Sequence, residues 1–349
     1  MMIPSKEQMA PRAAQQLASE LARKIDGEVR FDSGSRALYA SDLSMYRQVP
    51  IGVVVPRTYH GVIATVALCR KFNAPIFGRG CGTSLAGQCC NTAVAIDFSK
   101  YLNKILEINP KRQYAWVEPG LILDTLQSET KKYNLMVGPD PATHEYCTLG
   151  GMIGNNSCGV HSVVAGRTED NVEELEVLTY DGLRLTVGPT SEAELASIIR
   201  QGGRRGEIYS KLKSIRDRYA SEIRARFPNI PRRVSGYNLP ELLPENGFHV
   251  ARALVGTEST CAITLRAKVK LIHSPMHRAL LVVGFPDVFT AGDRASAFRD
   301  LCPIGLECFH HKVIDNEHRK GNHMPGEELF PRTDTYVLLE FGADEREEA

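Results

Sequence analysis

Gly78-Arg79-Gly80-Cys81-Gly82-Thr83-Ser84-Leu85-Ala86-Gly87-Gln88 decides the reading of this chain. A run so rich in glycine and small polar residues cannot pack a core. Its use is to bring backbone amides close to something anionic, because glycine permits left-handed turns and close approach. A dinucleotide fingerprint needs glycines at relative positions one, three and six. Counted from Gly78 the sixth position is Thr83, and counted from Gly80 it is Leu85, so that pattern fails. Gly82 to Gly87 has the spacing of a nucleoside-triphosphate loop, but Gln88 stands where the lysine must be. A neutral loop of this geometry suits a pyrophosphate that is held and not cleaved; a plain glycine-rich connection is the alternative.

A second run, residues 138–159 (GPDPATHEYCTLGGMIGNNSCG), is also too small and polar for core. Gly150, Gly151, Gly154 and Gly159 surround Asn155, Asn156 and Ser157. Two such loops, each between strand-like runs, point to two sides of one long ligand.

The rest of the chain bounds the class. A length of 349 residues gives a prior of about two domains. A net charge of +1 provides no field for nucleic acid, and no apolar run approaches a membrane span. The N-terminus has no signal-peptide pattern and reads as an amphipathic helix, with Leu17, Leu21 and Ile25 four apart. Nine cysteines without a CxxC pair argue against a zinc ribbon or ferredoxin-type cluster. They are expected to be reduced thiols in a cytoplasmic chain, or one peripheral to the inner face of a membrane.

Strands are expected at Ile51–Pro56, from Pro75 and at Ala93–Phe98, with a helix Tyr59–Phe72 capped by Thr58. Hairpins follow: Lys104–Ile108 with Gln113–Val117, and a second turning at Asp181-Gly182. Helices are expected at Leu121–Tyr133, Glu192–Ile199 and Tyr209–Arg226. Proline-rich 228–244 reads as an ordered loop or lid, and Ala251–Val255 and Ala262–Ile272 read as strands. After His273 come a strand Ala279–Phe285, a helix Ala291–Leu301 and a strand Thr335–Phe341, and the final ADEREEA reads as the start of a helix. The expected class is α+β in two lobes, not a doubly wound sheet, and the last unit reads as part of something larger.

Five motifs in order, GRGCGTSLAGQ, PDPATHEYCTLGGMIGNNSCG, GRTEDNVEELEVLTYDG, SGYNLPELL and ALVGTESTCAITLRAKVKL, resemble the FAD-linked oxidase superfamily with its PCMH-type FAD-binding domain. The nearest branch holds D-lactate and D-2-hydroxyglutarate dehydrogenases and the glycolate oxidase FAD subunit. The resemblance implies an N-terminal helix (1–29), a two-lobed PCMH-type FAD-binding domain (30–272) and the start of an α+β cap domain (273–349). It implies that Arg79, Gly80, Cys81, Gly82, Thr83, Ser84, Leu85 and Gln88 wrap the FAD pyrophosphate. Pro139, Asp140, Leu149, Gly150, Gly151, Asn155, Asn156 and Gly159 would line the flavin and ribityl side. Val172 would touch the isoalloxazine through its backbone, and Gly256, Glu258 and Ile263 would lie near the adenine and pyrophosphate. Two departures stand out. Cys81 takes the middle place of three consecutive glycines, and Glu258-Ser259-Thr260-Cys261-Ala262 replaces Glu-Gly-Thr-Leu-Gly. Relatives with covalent flavin carry a histidine near Thr83, so non-covalent FAD is expected.

The resemblance implies an FAD-dependent dehydrogenase that oxidises a D-2-hydroxy acid such as D-lactate, D-2-hydroxyglutarate or glycolate, handing electrons to an acceptor or iron–sulfur partner. An FAD-binding electron-transfer subunit without its own substrate site is the alternative, and a colourless nucleotide-binding module a third. Oxidising a hydroxy acid needs a base and a carboxylate-binding cation or metal, and the GDGNxH-type metal segment of that branch is not present in the sequence. Catalytic candidates are His161, or else a structural histidine, and Tyr237 and Asn238, or else a buried turn. Arg232 and Arg233 are either a carboxylate site or solvated. His310, His311, His318 and His323, with Cys302 and Cys308, match no standard metal spacing and read as an exposed polar segment, so no metal is expected.

Overall fold

The computed structural model describes residues 9–323 and 325–348. Helix α1 (Pro11–Lys24) buries Leu17 and Leu21 completely, as their spacing of four requires. Residues 1–8 of the expected N-terminal helical segment lie outside the described residues. Strand β1 (Gly27–Arg30) follows and crosses the expected boundary at residues 29/30; it pairs antiparallel with β2 (Gly52–Pro56). After α2 (Ser33–Leu38), β2 leads into α3 (Tyr59–Lys71), whose N-cap Thr58 accepts from Gly61 N. Strand β3 (Ile76–Arg79) then ends in the first glycine run, and β4 (Val94–Asp97) inserts between β2 and β3, parallel to both. Every residue of β2 and β4 is buried, which is why these two strands read as unbroken apolar runs.

The second sheet is antiparallel, in the order β5-β6-β10-β8-β9. Its first hairpin is β5 (Ile105–Asn109) and β6 (Tyr114–Val117). Helix α4 (Leu123–Thr130), β7 (Leu135–Met136), α5 (Leu149–Asn155) and α6 (Ser162–Ala165) intervene before β8 (Val172–Leu178). Strand β9 (Arg184–Val187) turns back at Asp181-Gly182 as the hairpin signal requires, and Gly182 has φ 93°. Helices α7 (Glu192–Gln201) and α8 (Gly203–Arg226) cover this sheet, α8 starting six residues before the expected Tyr209.

Residues 251–255 are not a strand. Residues 251–254 lie in α9 (Val250–Leu254), a short helix that ends at Val255 and is capped at its start by His249, whose Nδ1 accepts from Arg252 N at 3.3 Å. Burial, and then the neighbouring Arg252, push His249 down to about 4, which keeps that acceptor nitrogen unprotonated. Ala251 and Val255 are fully buried against the second sheet, so packing overrides the local strand-like pattern.

Strand β10 (Ile263–Lys270) alternates buried and half-buried residues and joins β6 to β8. Strand β11 (Ile272–His273) pairs with β7. Val62 and Val66 of α3, Ile96 of β4, and Ile263 and Leu265 of β10 share one cluster, so α3 and both sheets meet in a common core. A third sheet holds β12 (His277–Phe285), β13 (Gly305–His310) and β14 (Thr335–Ala343), with β14 central. The helix expected at Ala291–Leu301 is instead two, α10 (Val288–Asp293) and α11 (Ala295–Asp300), the first capped by Asp287 accepting from Thr290 N. Helix α12 (Lys312–Arg319) lies between β13 and β14. The helix expected at ADEREEA does not form in residues 344–348, which are bends and turns after β14.

Candidate flavin site

Both glycine runs open onto one cavity of about 450 Å³ between the first and second sheets. Arg79 ends β3 and builds the first wall from behind. Its guanidinium donates to the carbonyls of Cys89 (2.7 Å) and Ser41 (2.8 Å) and is nearly buried. It therefore holds loop carbonyls and is not free to grip a phosphate with its charge. Gly82 sits against it at φ 76°, where a Cβ would lie 2.5 Å from Arg79 Nη2. At Gly80 the two runs touch: a Cβ there would lie 2.2 Å from Thr148 Oγ1. Thr148 is the N-cap of α5, its hydroxyl accepting from Gly151 N at 3.2 Å.

The second wall is α5 and its exit. Asn156 caps the helix with φ 57°, and its side chain is turned away into a buried pair with Glu169. Asn156 Nδ2 donates to Glu169 Oε2 at 2.8 Å, and Glu169 N donates to Asn156 Oδ1 at 3.0 Å. Burial raises the Glu169 carboxyl to about 7, with Arg167 pulling the other way. Arg233 approaches the same carboxylate at 3.6 Å, and the exposed Arg232 donates to Gly159 O at 2.9 Å.

The third wall is the 257–264 turn. Glu258 and Ser259 both have positive φ, 50° and 62°. Ser259 stands where the resembled motif has glycine, and its backbone takes the left-handed form regardless, at a cost of about 1 kcal/mol. The turn is tied down by Glu258 N donating to Gly154 O at 2.9 Å and by Gln88 Nε2 donating to Glu258 Oε1 at 3.3 Å.

Of the residues expected at the cofactor, Arg79, Gly80, Cys81, Gly82, Thr83, Ser84, Leu85, Gln88, Gly150, Gly151, Asn155, Asn156, Glu258 and Ile263 line this cavity. Pro139, Asp140, Leu149, Gly159, Val172 and Gly256 do not. Leu149 and Val172 are core residues, and Gly256 sits beneath the wall, its N–H bonded to Ile153 O. The catalytic candidates are not at the cavity either. His161 bridges Asp140 Oδ2 (2.5 Å) and Glu340 Oε2 (3.0 Å); Asn238 donates to Val255 O at 2.9 Å and is buried; the Tyr237 hydroxyl meets Thr260 Oγ1 at 2.8 Å. Sequence reasoning missed Thr148, which a capping signal before Leu149 would have flagged, and Cys147 beside it. Burial pushes the Cys147 thiol up to about 11 and raises Cys81 as well, so neither supplies a thiolate at neutral pH.

The site fits a large, mostly neutral group. Among the described residues, Arg79 and Glu258 are the only lysine, arginine, histidine or acidic residues on its wall. Gly154 faces open space, where any side chain would enter the cavity. Residues 50–188 match the family described as FAD binding domain. Over those residues the chain carries an FAD binding domain. The D-2-hydroxyglutarate dehydrogenase of Pseudomonas putida is 30% identical over 292 residues, which is 82% of this chain and 29% of that protein. Glycolate oxidase subunit GlcD of Bacillus subtilis is 28% identical over 278 residues, 78% of this chain and 48% of that subunit. The chain thus spans about a third of the length of the dehydrogenases it matches (29% and 32%). An alkyldihydroxyacetonephosphate synthase structure overlays on 98% of this chain and 57% of its own with a TM-score of 0.62 at 17% identity, a likeness of fold alone.

Proposed function

We propose that this chain is the flavin-holding part of an FAD-dependent dehydrogenase acting on a D-2-hydroxy acid, in the class of D-2-hydroxyglutarate, D-lactate and glycolate. The observation that supports this most is the single cavity walled by the two glycine runs and the 257–264 turn, in a chain similar to proteins named for that chemistry. Its FAD is held non-covalently, since Thr83 offers no imidazole to the ring. FAD, when bound, supplies a hydride acceptor for the substrate carbon. The residues of this chain bind and orient it. The 78–88 loop and α5 present backbone at close range, and the Asn156–Glu169 pair fixes the end of α5. The Gln88–Glu258 contact joins the loop to the opposite turn.

The domain reading that accompanies this is a two-lobed PCMH-type unit over 30–272, with β1 added at its edge, followed by the start of a cap from 273. Nine free thiols accord with a cytoplasmic place, or one peripheral to the inner face of a membrane; no helix among the described residues is long and apolar enough to cross one. The second reading, an electron-transfer subunit served by an iron–sulfur or other acceptor partner, is favoured by the bare cavity wall. Arg79 is committed to backbone carbonyls, so among the described residues the wall offers no free cation for a substrate carboxylate.

The test is the absorption spectrum of the purified chain, before and after denaturation, and then a panel of 2-hydroxy acids on the protein encoded by the whole gene. A flavin spectrum that denaturation releases, and that D-2-hydroxyglutarate, D-lactate or glycolate bleaches, is expected. A flavoprotein bleached by none of them, but co-purifying with an iron–sulfur protein, would favour the second reading. A colourless protein that binds nucleotides sinks both.

A further inference from the structure

Outside the cavity lining, the fold gathers three donor side chains that lie apart in sequence. His318 is in the last turn of α12. Gly321 (φ 82°) and Gly326 (φ 79°) then reverse the chain into a short 3₁₀ turn, Glu327–Leu329. These reversals return His323 and Glu327 to His318. His318 Nε2 lies 2.9 Å from Glu327 Oε1, and His323 Nδ1 lies 3.3 Å from the same oxygen. The two imidazole rings are 4.9 Å apart, centroid to centroid, tilted by 44°. One donor atom from each of the three residues lies within 4.8 Å of the other two.

We infer that His318, His323 and Glu327 form a binding site for a divalent transition-metal ion, with Zn²⁺ as its ion. Zinc bonds histidine nitrogen and carboxylate oxygen at about 2.0–2.2 Å, which sets ligand atoms roughly 3.3–3.6 Å apart in a tetrahedron. The separations here differ from that by a few tenths of an ångström to little more than one, within reach of side-chain rotation. Two neutral imidazoles and one carboxylate form a nitrogen–oxygen set that suits zinc over calcium or magnesium. His318 and His323 are exposed, so the ion has a path in and water can take the fourth position. His311 stands outside the set, engaged by Tyr336 and Asp315, and Cys302 and Cys308 are not part of it. The ion would pin His323 and Glu327 to the end of α12. The inference does not depend on the flavin reading, because none of the three residues lines that cavity.

The test is zinc titration of the tag-free protein by calorimetry near pH 7.5. One zinc per chain is expected. Loss of even an outer-shell partner costs roughly 10–100-fold in metal affinity, so His318→Ala, His323→Ala and Glu327→Gln should each weaken binding by at least that. His310→Ala should leave it unchanged. All these side chains are exposed or partly so, and circular dichroism should show the same fold in each variant. X-ray absorption of the zinc-loaded wild type gives a readout that needs no variant: imidazole scattering is expected. A wild type that takes no zinc, an affinity unchanged in the His318→Ala/His323→Ala double variant, or a sulfur-rich first shell from the cysteines overturns the inference.

Discussion

At Gly80 the absence of a side chain is a contact requirement. A Cβ would stand 2.2 Å from Thr148 Oγ1, and that hydroxyl is already committed to capping α5. Threonine is short and β-branched, so it cannot swing aside without giving up the cap, worth about 1 kcal/mol. Overpacking adds about 1–3 kcal/mol. Gly80→Val should therefore lower unfolding free energy by roughly 2–4 kcal/mol, measured by urea denaturation. It should also separate the two glycine runs and reduce flavin content per chain, measured by released-flavin absorbance. A variant with wild-type stability and full flavin content would show that the runs do not need this contact. Cys81 and Ser259 make the complementary case, since both replace glycines of the resembled pattern. Ser259 keeps the left-handed backbone that glycine would have, so the departure altered a side chain and left the turn in place.

Helix α5 is held at both ends by side chains, Thr148 at its start and Asn156 at its exit. Asn156 does two jobs: it accepts a left-handed backbone, and it pairs with the fully buried Glu169. Asn156→Gly keeps the backbone and loses the pair; Asn156→Ala loses both. A hydrogen bond to a charged group is worth about 1.5–3 kcal/mol, and a left-handed alanine costs about 1 kcal/mol more. Unfolding free energies should rank wild type above Asn156→Gly above Asn156→Ala; the reverse order of the two variants would place the strain elsewhere. Elements with strong local signals were legible in sequence: the Thr58 cap, the Asp181-Gly182 hairpin, the helical spacing of Leu17 and Leu21. Those that depend on distant packing were not. Residues 250–254 carry apolar residues that fit either state, and burial against the second sheet decides for helix. The insertion of β4 between β2 and β3 leaves no local trace. At the site, the glycine runs announced themselves by composition, whereas the burial of His161 and Asn238 away from the cavity is set by tertiary partners.

Across the whole molecule, His161 is the joint between the glycine-loop unit and the third sheet. Asp140 holds its Nδ1, and Glu340 of β14 holds its Nε2, with Arg278 of β12 donating to Glu340 at 2.9 Å. Burial opposes the charge on the ring, but the hydrogen bonds to Asp140 and Glu340 outweigh it and raise His161 to about 9 from an ordinary 6.5. A histidine whose pKa is raised on folding lends stability that is fully present below the unfolded value and is lost as pH climbs through the folded one. The window is therefore pH 6.5 to about 9, and the amount is on the order of 3 kcal/mol. Glu169, raised by burial to about 7, slopes the same way but lower, from its ordinary 4.5 up to about 7. The two contributions overlap only near neutrality, so they can be separated. Unfolding free energy of the wild type should fall between pH 7.5 and 9, and His161→Gln should flatten that fall while leaving the slope below pH 6.5 intact. Limited proteolysis across the same range should show cleavage near 273–276 rising with pH in the wild type and already high in His161→Gln. A wild-type profile that stays level from pH 7.5 to 9 would mean that the ring is neutral in the folded protein, and that its charge does not hold the third sheet to the glycine-loop unit.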